Sequence, residues 1–406
     1  MSSALSSMSN LRLGMILGLL SVIGSLTIDM YLPALPSIAD EFGTSIGSVQ
    51  QTLTAYLIGF GLAQLFYGPI SDQMGRKFPL YVGLTLFLAG TVAAYLAPTI
   101  EILTISRVIQ GVGGAVVMVI PRAVIRDIGT GVAATKLMGF VMMVISVSPM
   151  VAPLIGSGVM LLGGWRVIFL VLALMAGLSL LLTRFALPET LSKDHRVPFN
   201  LHTFGTGLRV LLTDTKYLGL TFIGAFGMAS FFVFFANAAF VYTGEFGLSP
   251  VQFSLAFALN GLSFFLATQV VGKVAERFGM PAMIKGAVLV FASVSVTLAA
   301  LTYAGFGSLP ILVTLLFIAF GSLGFVVPTT MVMAIDNHGS IAGLASSLGG
   351  TLQVVTASGM IALSEPFFDG TALPMVSVIA ACALVALILS RLTLRTSQHA
   401  KAAEAA

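Results

Sequence analysis

A single acidic residue stands inside an apolar stretch near the start of the chain. The segment TIDMYLP, residues 27–33, places Asp29 in an apolar run that begins at Leu11 and holds no other charge except Arg12 at its edge. A carboxylate in hydrocarbon costs on the order of 2.5–3.5 kcal/mol even on lenient insertion scales, and such residues usually mark ion or substrate pathways. Asp29 therefore predicts a proton or ion site, with a static buried ion pair as the structural alternative.

A second charge lies in the run SRVIQGVGGAVVMVIPRAVIRD, residues 106–127. Arg107 is followed by Gln110 on nearly the same helical face, and then by glycines that allow a neighbouring helix to pack closely. Because an arginine keeps its charge, Arg107 must face a partner, a cluster of carbonyl groups or a wet cavity. The alternative is an arginine that only joins helices through hydrogen bonds.

The amino-acid composition predicts that these residues lie in a lipid membrane and not in a water-soluble domain. Of the 406 residues, 57% are hydrophobic and 8% are charged, and the mean hydropathy is +1.05. A soluble domain carries roughly 25% charged residues, so this composition predicts an all-α integral membrane protein. The pI near 9.3 reflects basic residues scattered in short loops, and no nucleic-acid partner is expected. The lone Cys382 predicts packing, and the N-terminal residues predict a retained helix without a signal peptide.

Apolar stretches of about 20 residues, the length that crosses a bilayer, recur twelve times. They lie near 11–35, 48–70, 78–97, 102–125, 136–162, 166–187, 217–242, 250–271, 280–304, 309–335, 342–363 and 373–392. With a cytoplasmic N-terminus, 17 of the 19 Lys and Arg residues fall toward the inside, and only Arg107 and Arg166 fall toward the outside. This asymmetry predicts that both termini are cytoplasmic.

The twelve predicted spans divide six and six. The sequence predicts an N-terminal six-helix bundle over 1–187, a cytoplasmic linker over 188–216 and a C-terminal six-helix bundle with a short tail over 217–406. PETLSKDHRVPFN in the linker indicates flexibility, and the following NLHTFGTGLRVLL is either a short surface helix or an irregular connector. Gly68, Asp72 and Gly75 match Gly272, Glu276 and Gly279 at one offset of 204 residues, which indicates a duplication of two pseudo-symmetric halves.

The depths of the two interior charges are similar. Asp29 lies 18 residues into the first span, about 27 Å along an outward-running helix. Arg107 lies 5 residues into the fourth span, about 8 Å below the outer surface. Both fall in the outer half of the membrane, so we expect them to meet.

The loop GPISDQMGRK, residues 68–77, has the composition of a tight turn with a charge cluster, or of an ordinary basic inner loop. It resembles the signature loop of the major facilitator superfamily. The resemblance implies the major facilitator fold and a conformational latch at Gly68, Asp72, Gly75 and Arg76 that tethers the second span to the eleventh in one conformation. Gln73 stands where the family pattern has an arginine.

Three further segments carry the resemblance to one branch. The RxxQGxG pattern at Arg107 is similar to that of drug:proton antiporters. SVSPMVAPLIGSGV, residues 146–159, resembles the span 5 motif of exporters through Pro149, Pro153, Gly156 and Gly158, with a helix bent only for packing as the alternative. TIDMYLPALP resembles the bicyclomycin- and phenicol-resistance (Bcr/CflA) branch. From their places within the spans, we expect Asp29 to carry the proton and Arg107 to hold its deprotonated form.

Other polar or aromatic residues within the spans are candidates for substrate binding, although most such phenylalanines pack or face lipid. They are Tyr31, Tyr56, Gln64, Gln110, Phe231, Phe234, Asn237, Asn260, Phe264 and Gln353. All four histidines fall in predicted cytoplasmic loops or tails, so a histidine relay through the core is not expected. The sequence has no phosphate-binding glycine loop, no zinc-type spacing and no nucleophile–His–acid set. It therefore predicts no enzyme, no metal and no cofactor.

The favoured function is proton-coupled efflux of small amphipathic drugs or antibiotics by alternating access, in a monomer of the bacterial inner membrane driven by the proton gradient. One alternative is an uptake permease of the same fold for a small metabolite. Another is a non-transporting membrane scaffold. The substrate is not written in the sequence.

Overall fold

The computed structural model describes residues 10–128 and 132–404, and the described residues form helices and short connections without a β-strand. By contact density the chain divides into two compact units, Met1–Phe204 and Gly205–Ala406. Their boundary lies within the segment that the sequence predicts to be a linker.

Eight helices build the described part of the first unit. They are α1 (Asn10–Asp29), α2 (Leu35–Phe42), α3 (Ile46–Met74), α4 (Lys77–Tyr95), α5 (Ile100–Gly114), α6 (Val116–Ile128), α7 (Val132–Met160) and α8 (Arg166–Phe185). Helix α9 (Leu201–Thr213) contains the boundary between the two units, and the second unit holds α10 (Thr215–Phe240), α11 (Pro250–Phe278), α12 (Met280–Tyr303), α13 (Leu309–Asp336), α14 (Ala342–Ser364) and α15 (Ala372–Glu404). The segment NLHTFGTGLRVLL of the predicted linker, for which the sequence leaves a short helix and an irregular connector both open, forms the helix α9.

Ten stretches of the described chain are long and apolar enough to cross a membrane, and Val147–Met160 is a shorter apolar stretch within α7. Predicted spans 5 and 11 coincide with α7 and α14, which fall outside the ten. The protein is therefore a multi-pass membrane protein with an all-helical fold.

The first span is not one continuous helix. Helix α1 ends at Asp29, a turn follows at Met30 and Tyr31, and a short 3-10 segment at Leu32–Ala34 leads into α2. Pro33 lies in that segment and lacks the backbone N–H that a continuous helix needs. The break places the aspartate at the end of a half-helix inside the membrane-spanning stretch.

The internal repeat extends over a whole helix and its caps. Helices α3 and α11 are each 29 residues long, and each begins after a serine whose hydroxyl accepts a backbone N–H: Ser45 for α3 and Ser249 for α11. Each ends at a glycine with positive φ, +91° at Gly75 and +78° at Gly279, a conformation that side chains with a Cβ disfavour. Both pairs are separated by the same 204 residues.

The signature loop is shorter than its composition predicts. Helix α3 continues through Gly68 and Pro69 as far as Met74, and the turn is confined to Gly75 and Arg76. A proline inside a helix removes one backbone hydrogen bond, and Pro69 shows that this loss is tolerated near the end of a long packed helix.

Glycines bring α5 into backbone contact with two neighbours. A Cβ at Gly111 would collide with the backbone oxygen of Tyr56 on α3, and one at Gly113 would collide with the backbone of Phe87 on α4. Small residues at such positions let membrane helices approach closely. These contacts fix the position of α5 along α3 and α4, and with it the position of Arg107, which lies one turn before Gly111.

Candidate functional site

Asp29 is buried at the end of α1, with 3% of its surface exposed. The hydroxyl of Ser148 on α7 donates a hydrogen bond of 2.9 Å to its Oδ2 atom. Among the residues that the structure describes, no cationic side chain lies within 4.0 Å of the Asp29 carboxyl group. The carboxyl group therefore sits in the membrane-spanning part of the chain with a neutral hydrogen-bond donor instead of a counter-charge.

Arg107 on α5 is fully buried between two aromatic rings. Its guanidinium carbon lies 4.5 Å from the centre of the Tyr31 ring and 4.4 Å from that of Tyr56. Its Nη1 atom donates to the side-chain oxygen of Gln110, and the Gln110 amide donates to Thr91 at 2.8 Å. Cation–π contacts strengthen when the cation is removed from water, so the two tyrosines stabilise a charge that cannot be neutralised.

The expected pairing of Asp29 with Arg107 is not seen. Within the described chain no acid reaches Arg107, and its Nε and Nη2 atoms have no hydrogen-bond partner. The reason is steric: the two tyrosine rings cover Arg107, while the break in α1 turns the Asp29 side chain to α7. Tyr56 lies near enough to feel the charge of both groups. Unused donors of a buried guanidinium are costly, which makes this a site that can take a further acceptor.

The sequence analysis missed three polar residues of this site. Ser148 binds Asp29, Thr91 receives the bond from Gln110, and the Thr52 hydroxyl shares a 2.7 Å hydrogen bond with that of Tyr31. Hydroxyl groups are common in membrane helices because they can bond to their own backbone. Only for Ser148, within SVSPMV, did the sequence offer a signal, namely its place in the proline-containing motif of α7.

The span 5 motif contacts the region of Asp29 a second time. A Cβ at Gly156 would collide with the backbone oxygen of Met30, whereas one at Gly158 would meet nothing within 4 Å. Pro149 and Pro153 lie inside α7. The motif therefore supplies the Asp29 segment with both a hydrogen-bond donor and a glycine that permits close approach.

The signature loop forms a buried charge cluster in the first unit. Arg76 is 2% exposed and binds Asp127 at the end of α6 through two parallel hydrogen bonds of 2.7 Å. It also donates to Asp72 at 2.6 Å and to Ser71 at 2.7 Å. Arg126 reaches Asp72 from the surface at 3.2 Å. The structure thus brings two of the predicted latch residues, Asp72 and Arg76, into direct contact, with Gly75 as the helix end beside them.

The linker predicted to be flexible is bound to this cluster. The Glu189 carboxylate accepts hydrogen bonds from the backbone N–H groups of Arg76 at 2.8 Å and Lys77 at 3.2 Å. Thr190 donates to Asp127 at 2.7 Å, and the Val197 N–H donates to the Asp72 carbonyl at 3.0 Å. The segment after α8 is therefore part of the first unit's charge network.

Three predicted substrate residues of the second unit lie in an aromatic cluster. Phe231 is 4.4 Å from Phe320 and 5.7 Å from Phe264 by ring centres, and Phe234 stacks on Phe257 at 5.3 Å. Phe234 is fully buried, while Phe264 is half-buried. Most of this cluster is core packing of α10, α11 and α13, and Phe264 is its most accessible predicted member.

The predicted polar candidates fall at separate places. Asn237 donates to the Val233 carbonyl of its own helix at 2.7 Å. Asn260 lies beside Tyr242, and neither side chain has a hydrogen bond of ordinary geometry to a described residue. Gln353 lies near Gly224. In the first unit Gln64 is buried, with a side-chain oxygen that has no partner in the described chain.

Charged residues are unevenly divided between the two halves of the chain. The second-half stretches 217–244, 250–272, 286–303, 309–335, 342–364 and 371–390 contain no Asp, Glu, Lys or Arg. The buried charges of the spans, Asp29 and Arg107, both belong to the first unit. The described residues hold no group of three or more His, Cys, Asp or Glu side chains that could bind a metal ion.

The helical architecture and the buried charges define a polytopic membrane transporter. The family model of the Major Facilitator Superfamily matches residues 17–362, and the chain belongs to that superfamily. It is 33% identical over 377 residues to an uncharacterized MFS-type transporter, YdgK, of Bacillus subtilis, covering 92% of this chain and 93% of that protein.

Further relatives carry names from drug resistance. A bicyclomycin resistance protein homolog of Haemophilus influenzae is 29% identical, over 92% of this chain and 93% of that protein. A chloramphenicol resistance protein of Pseudomonas aeruginosa is 34% identical, over 65% and 62%.

Solved structures of low identity share the fold. A D-xylose-proton symporter matches with a TM-score of 0.70 at 17% identity, over 93% of this chain and 97% of that one. The human organic anion transporter MFSD10 (TETRAN) matches with a TM-score of 0.68 at 19% identity, over 95% and 100%. These likenesses concern the fold alone.

Proposed function

We propose that the protein exports small amphipathic drugs or antibiotics in exchange for protons. The observation that carries the proposal is the buried carboxyl group of Asp29, which is placed at a helix break and, among the residues that the structure describes, is bound by one hydroxyl and by no counter-charge. Intramembrane ionisable groups of this kind mark ion pathways. The relatives named for bicyclomycin, chloramphenicol and multidrug resistance support drugs as the substrates.

In the proposed cycle Asp29 takes up a proton from the outside and releases it to the inside. The drug is released outward during the same cycle of alternating access, so the proton gradient drives export without a cofactor. The positive charge of Arg107 favours the return of Asp29 to its deprotonated form. Tyr56 lies within electrostatic range of both groups. Its unused donors are available to a substrate oxygen.

The proposal includes direction and location. The names of the relatives and the proline- and glycine-containing α7 support export over uptake. The distribution of Lys and Arg supports a bacterial inner-membrane protein with both termini in the cytoplasm, and we expect it to act as a monomer.

Antibiotic susceptibility in an efflux-deficient bacterial host tests this function. We expect expression of the protein to raise the inhibitory concentration of chloramphenicol or bicyclomycin, and Asp29→Asn at equal membrane abundance to abolish the increase. An Asp29→Asn variant that confers full resistance would remove Asp29 from the mechanism. Increased susceptibility on expression of the native protein would indicate uptake. No effect on a wide panel of drugs would favour a metabolite permease or a scaffold.

A further inference from the structure

We infer that Ser148 is a positioning residue that sets the proton affinity of Asp29 and makes it depend on the bend of α7. The inference rests on the proposed role of Asp29 as the proton carrier. It begins from one contact: the Ser148 hydroxyl, 4% exposed, donates to the Asp29 carboxylate at 2.9 Å across two helices.

No other group in the described chain hydrogen-bonds or ion-pairs with Asp29. Tyr56 on α3 feels its charge without such a bond. Arg107 on α5 is held by Gln110 and two tyrosine rings. On α6 and α8, the helices that also pack against α1, most of the remaining charges lie toward the helix ends: Arg126, Asp127, Arg166 and Arg184. Arg122 stands in the middle of α6 and is half-buried, and it forms no ion pair with Asp29 among the described residues. The hydrogen bond from Ser148 is therefore the most direct interaction that acts on the ionisation of Asp29.

The chemistry of the pair favours the ionised carboxylate. A hydroxyl that donates to a carboxylate stabilises its charged form, and loss of that bond favours the protonated form. Once Asp29 is protonated, its own O–H becomes a donor, and Ser148 either donates a weaker bond to the neutral carbonyl oxygen or turns to accept from that O–H. The bond therefore differs between the two states that the proton cycle needs.

The shape of α7 makes this bond movable. Gly156 fixes α7 against the Met30 carbonyl, and Ser148 lies eight residues earlier on the same helix, about 12 Å away. Pro149 and Pro153 stand between these two points, and prolines weaken a helix because each removes one backbone hydrogen bond. A bend of α7 at these prolines moves Ser148 relative to Asp29 while Gly156 stays in place.

Infrared titration of the purified full-length protein tests the inference without a substrate. The carbonyl stretch of protonated Asp29 is identified by its absence in Asp29→Asn, and its intensity is followed against pH. We expect Ser148→Ala to reach half intensity at a pH about one unit higher than the native protein, because hydrogen bonds to charged groups have a net worth of that order. Ser148→Cys, a weaker donor, shifts in the same direction by less, and Ser148→Thr restores the native value.

A second buried serine provides the control. Ser21 on α1 donates to the carbonyl of Leu17 on its own helix, at 2.9 Å, and has no hydrogen bond to Asp29, so Ser21→Ala leaves the band where the native protein has it. Native titration of both Ser148→Ala and Ser148→Cys would overturn the inference. This outcome is separable from failure of the proposed function, which appears as normal drug transport by Asp29→Asn whatever the band does.

Discussion

The guanidinium carbon of Arg107 lies 4.4 Å from the centre of the Tyr56 ring, on a helix whose glycine backbone touches the same turn of α3. A buried arginine of this kind is usually expected to find an acid. Here the rings of Tyr31 and Tyr56 and the side-chain oxygen of Gln110 contact Arg107 in place of an acid. The buried acid Asp29 instead accepts a hydrogen bond from Ser148. The two charges therefore form no ion pair within the described chain, and in the proposed mechanism this leaves the Asp29 carboxyl group able to exchange its proton.

Removal of the Tyr56 ring should weaken transport through Arg107. A cation–π contact is worth about 0.5–2 kcal/mol, so we expect Tyr56→Leu to lower the drug transport rate by about two- to thirtyfold. Tyr56→Phe keeps the ring and removes a hydroxyl whose hydrogen bond to the Gly24 carbonyl is long, at 3.5 Å, and it should stay near the native rate. The measurement is initial efflux of chloramphenicol from loaded cells. Equal rates for the Leu and native proteins would contradict the role of the ring.

The charge cluster at the signature loop should contribute to stability mainly through the buried Arg76 and hardly through the exposed Arg126. Arg76→Ala leaves Asp127 buried without its partner, and breaking such a pair costs about 3–5 kcal/mol. Arg126 is 57% exposed in its contact with Asp72, and a surface pair contributes about 0–1 kcal/mol. Thermal unfolding in detergent should therefore show a large loss for Arg76→Ala and almost none for Arg126→Ala. A similar loss in both variants would refute this division.

Alanine substitutions at two glycines of the span 5 motif, Gly156 and Gly158, should have very different effects on transport. Gly156→Ala places a methyl group against the Met30 carbonyl, so α7 must shift away from α1. We expect transport to fall by at least about tenfold, as small displacements at a functional site commonly cost. Gly158→Ala meets open space and serves as the matched control on the same helix. If the two variants behave alike in the efflux assay, the contact with Met30 does not matter.

The start of α10 should give a pH-dependent contribution to stability. Although partial burial opposes ionisation, hydrogen bonds from the backbone N–H groups of Tyr217 and Lys216, together with His338 at 2.9 Å, hold the pKa of Asp214 below its ordinary value of 3.8. Because this pKa is lowered in the folded protein, its stabilisation is present above the ordinary value and is lost as the pH falls through the lowered one.

Asp214→Ala should therefore unfold at a lower temperature than the native protein at pH 7, by the loss of a helix cap worth about 0.5–2 kcal/mol. The difference should shrink when the pH is lowered below the ordinary carboxyl value. Asp214→Ser keeps a neutral cap, so its stability relative to Asp214→Ala should not change over the same acid range. A native-minus-Ala difference that is constant from pH 7 to pH 3 would show that the charge of Asp214 contributes nothing.

Much of the architecture follows from one-dimensional patterns. Hydropathy predicted a helical multi-pass protein, and the glycines at the 204-residue offset predicted two related halves, because both depend on residue type and spacing alone. The burial of Asp29 and Arg107 followed from their places in apolar runs. Family membership was also predicted correctly from the quoted motifs.

The partners of the buried charges could not be predicted in the same way. Arg107 could have met an acid, a carbonyl cluster or water, and only the packing of α1, α3 and α5 decides for Tyr31 and Tyr56. Ser148 binds Asp29 because α1 ends there, and the position of that break depends on tertiary contacts such as Gly156 with Met30. The contacts of the linker could not be predicted either, because a polar, proline-containing composition does not reveal that the Glu189 carboxylate accepts hydrogen bonds from the N–H groups of a distant turn.

Proton-driven drug transport in proteoliposomes tests the central claim most directly. With an imposed pH gradient, we predict that the native protein accumulates chloramphenicol and dissipates the gradient in proportion. Asp29→Asn should do neither, while it still exchanges labelled for unlabelled chloramphenicol across the membrane, which shows that it is folded and binds the drug. Gradient-driven accumulation by Asp29→Asn at the native rate would contradict the assignment of Asp29 as the proton carrier.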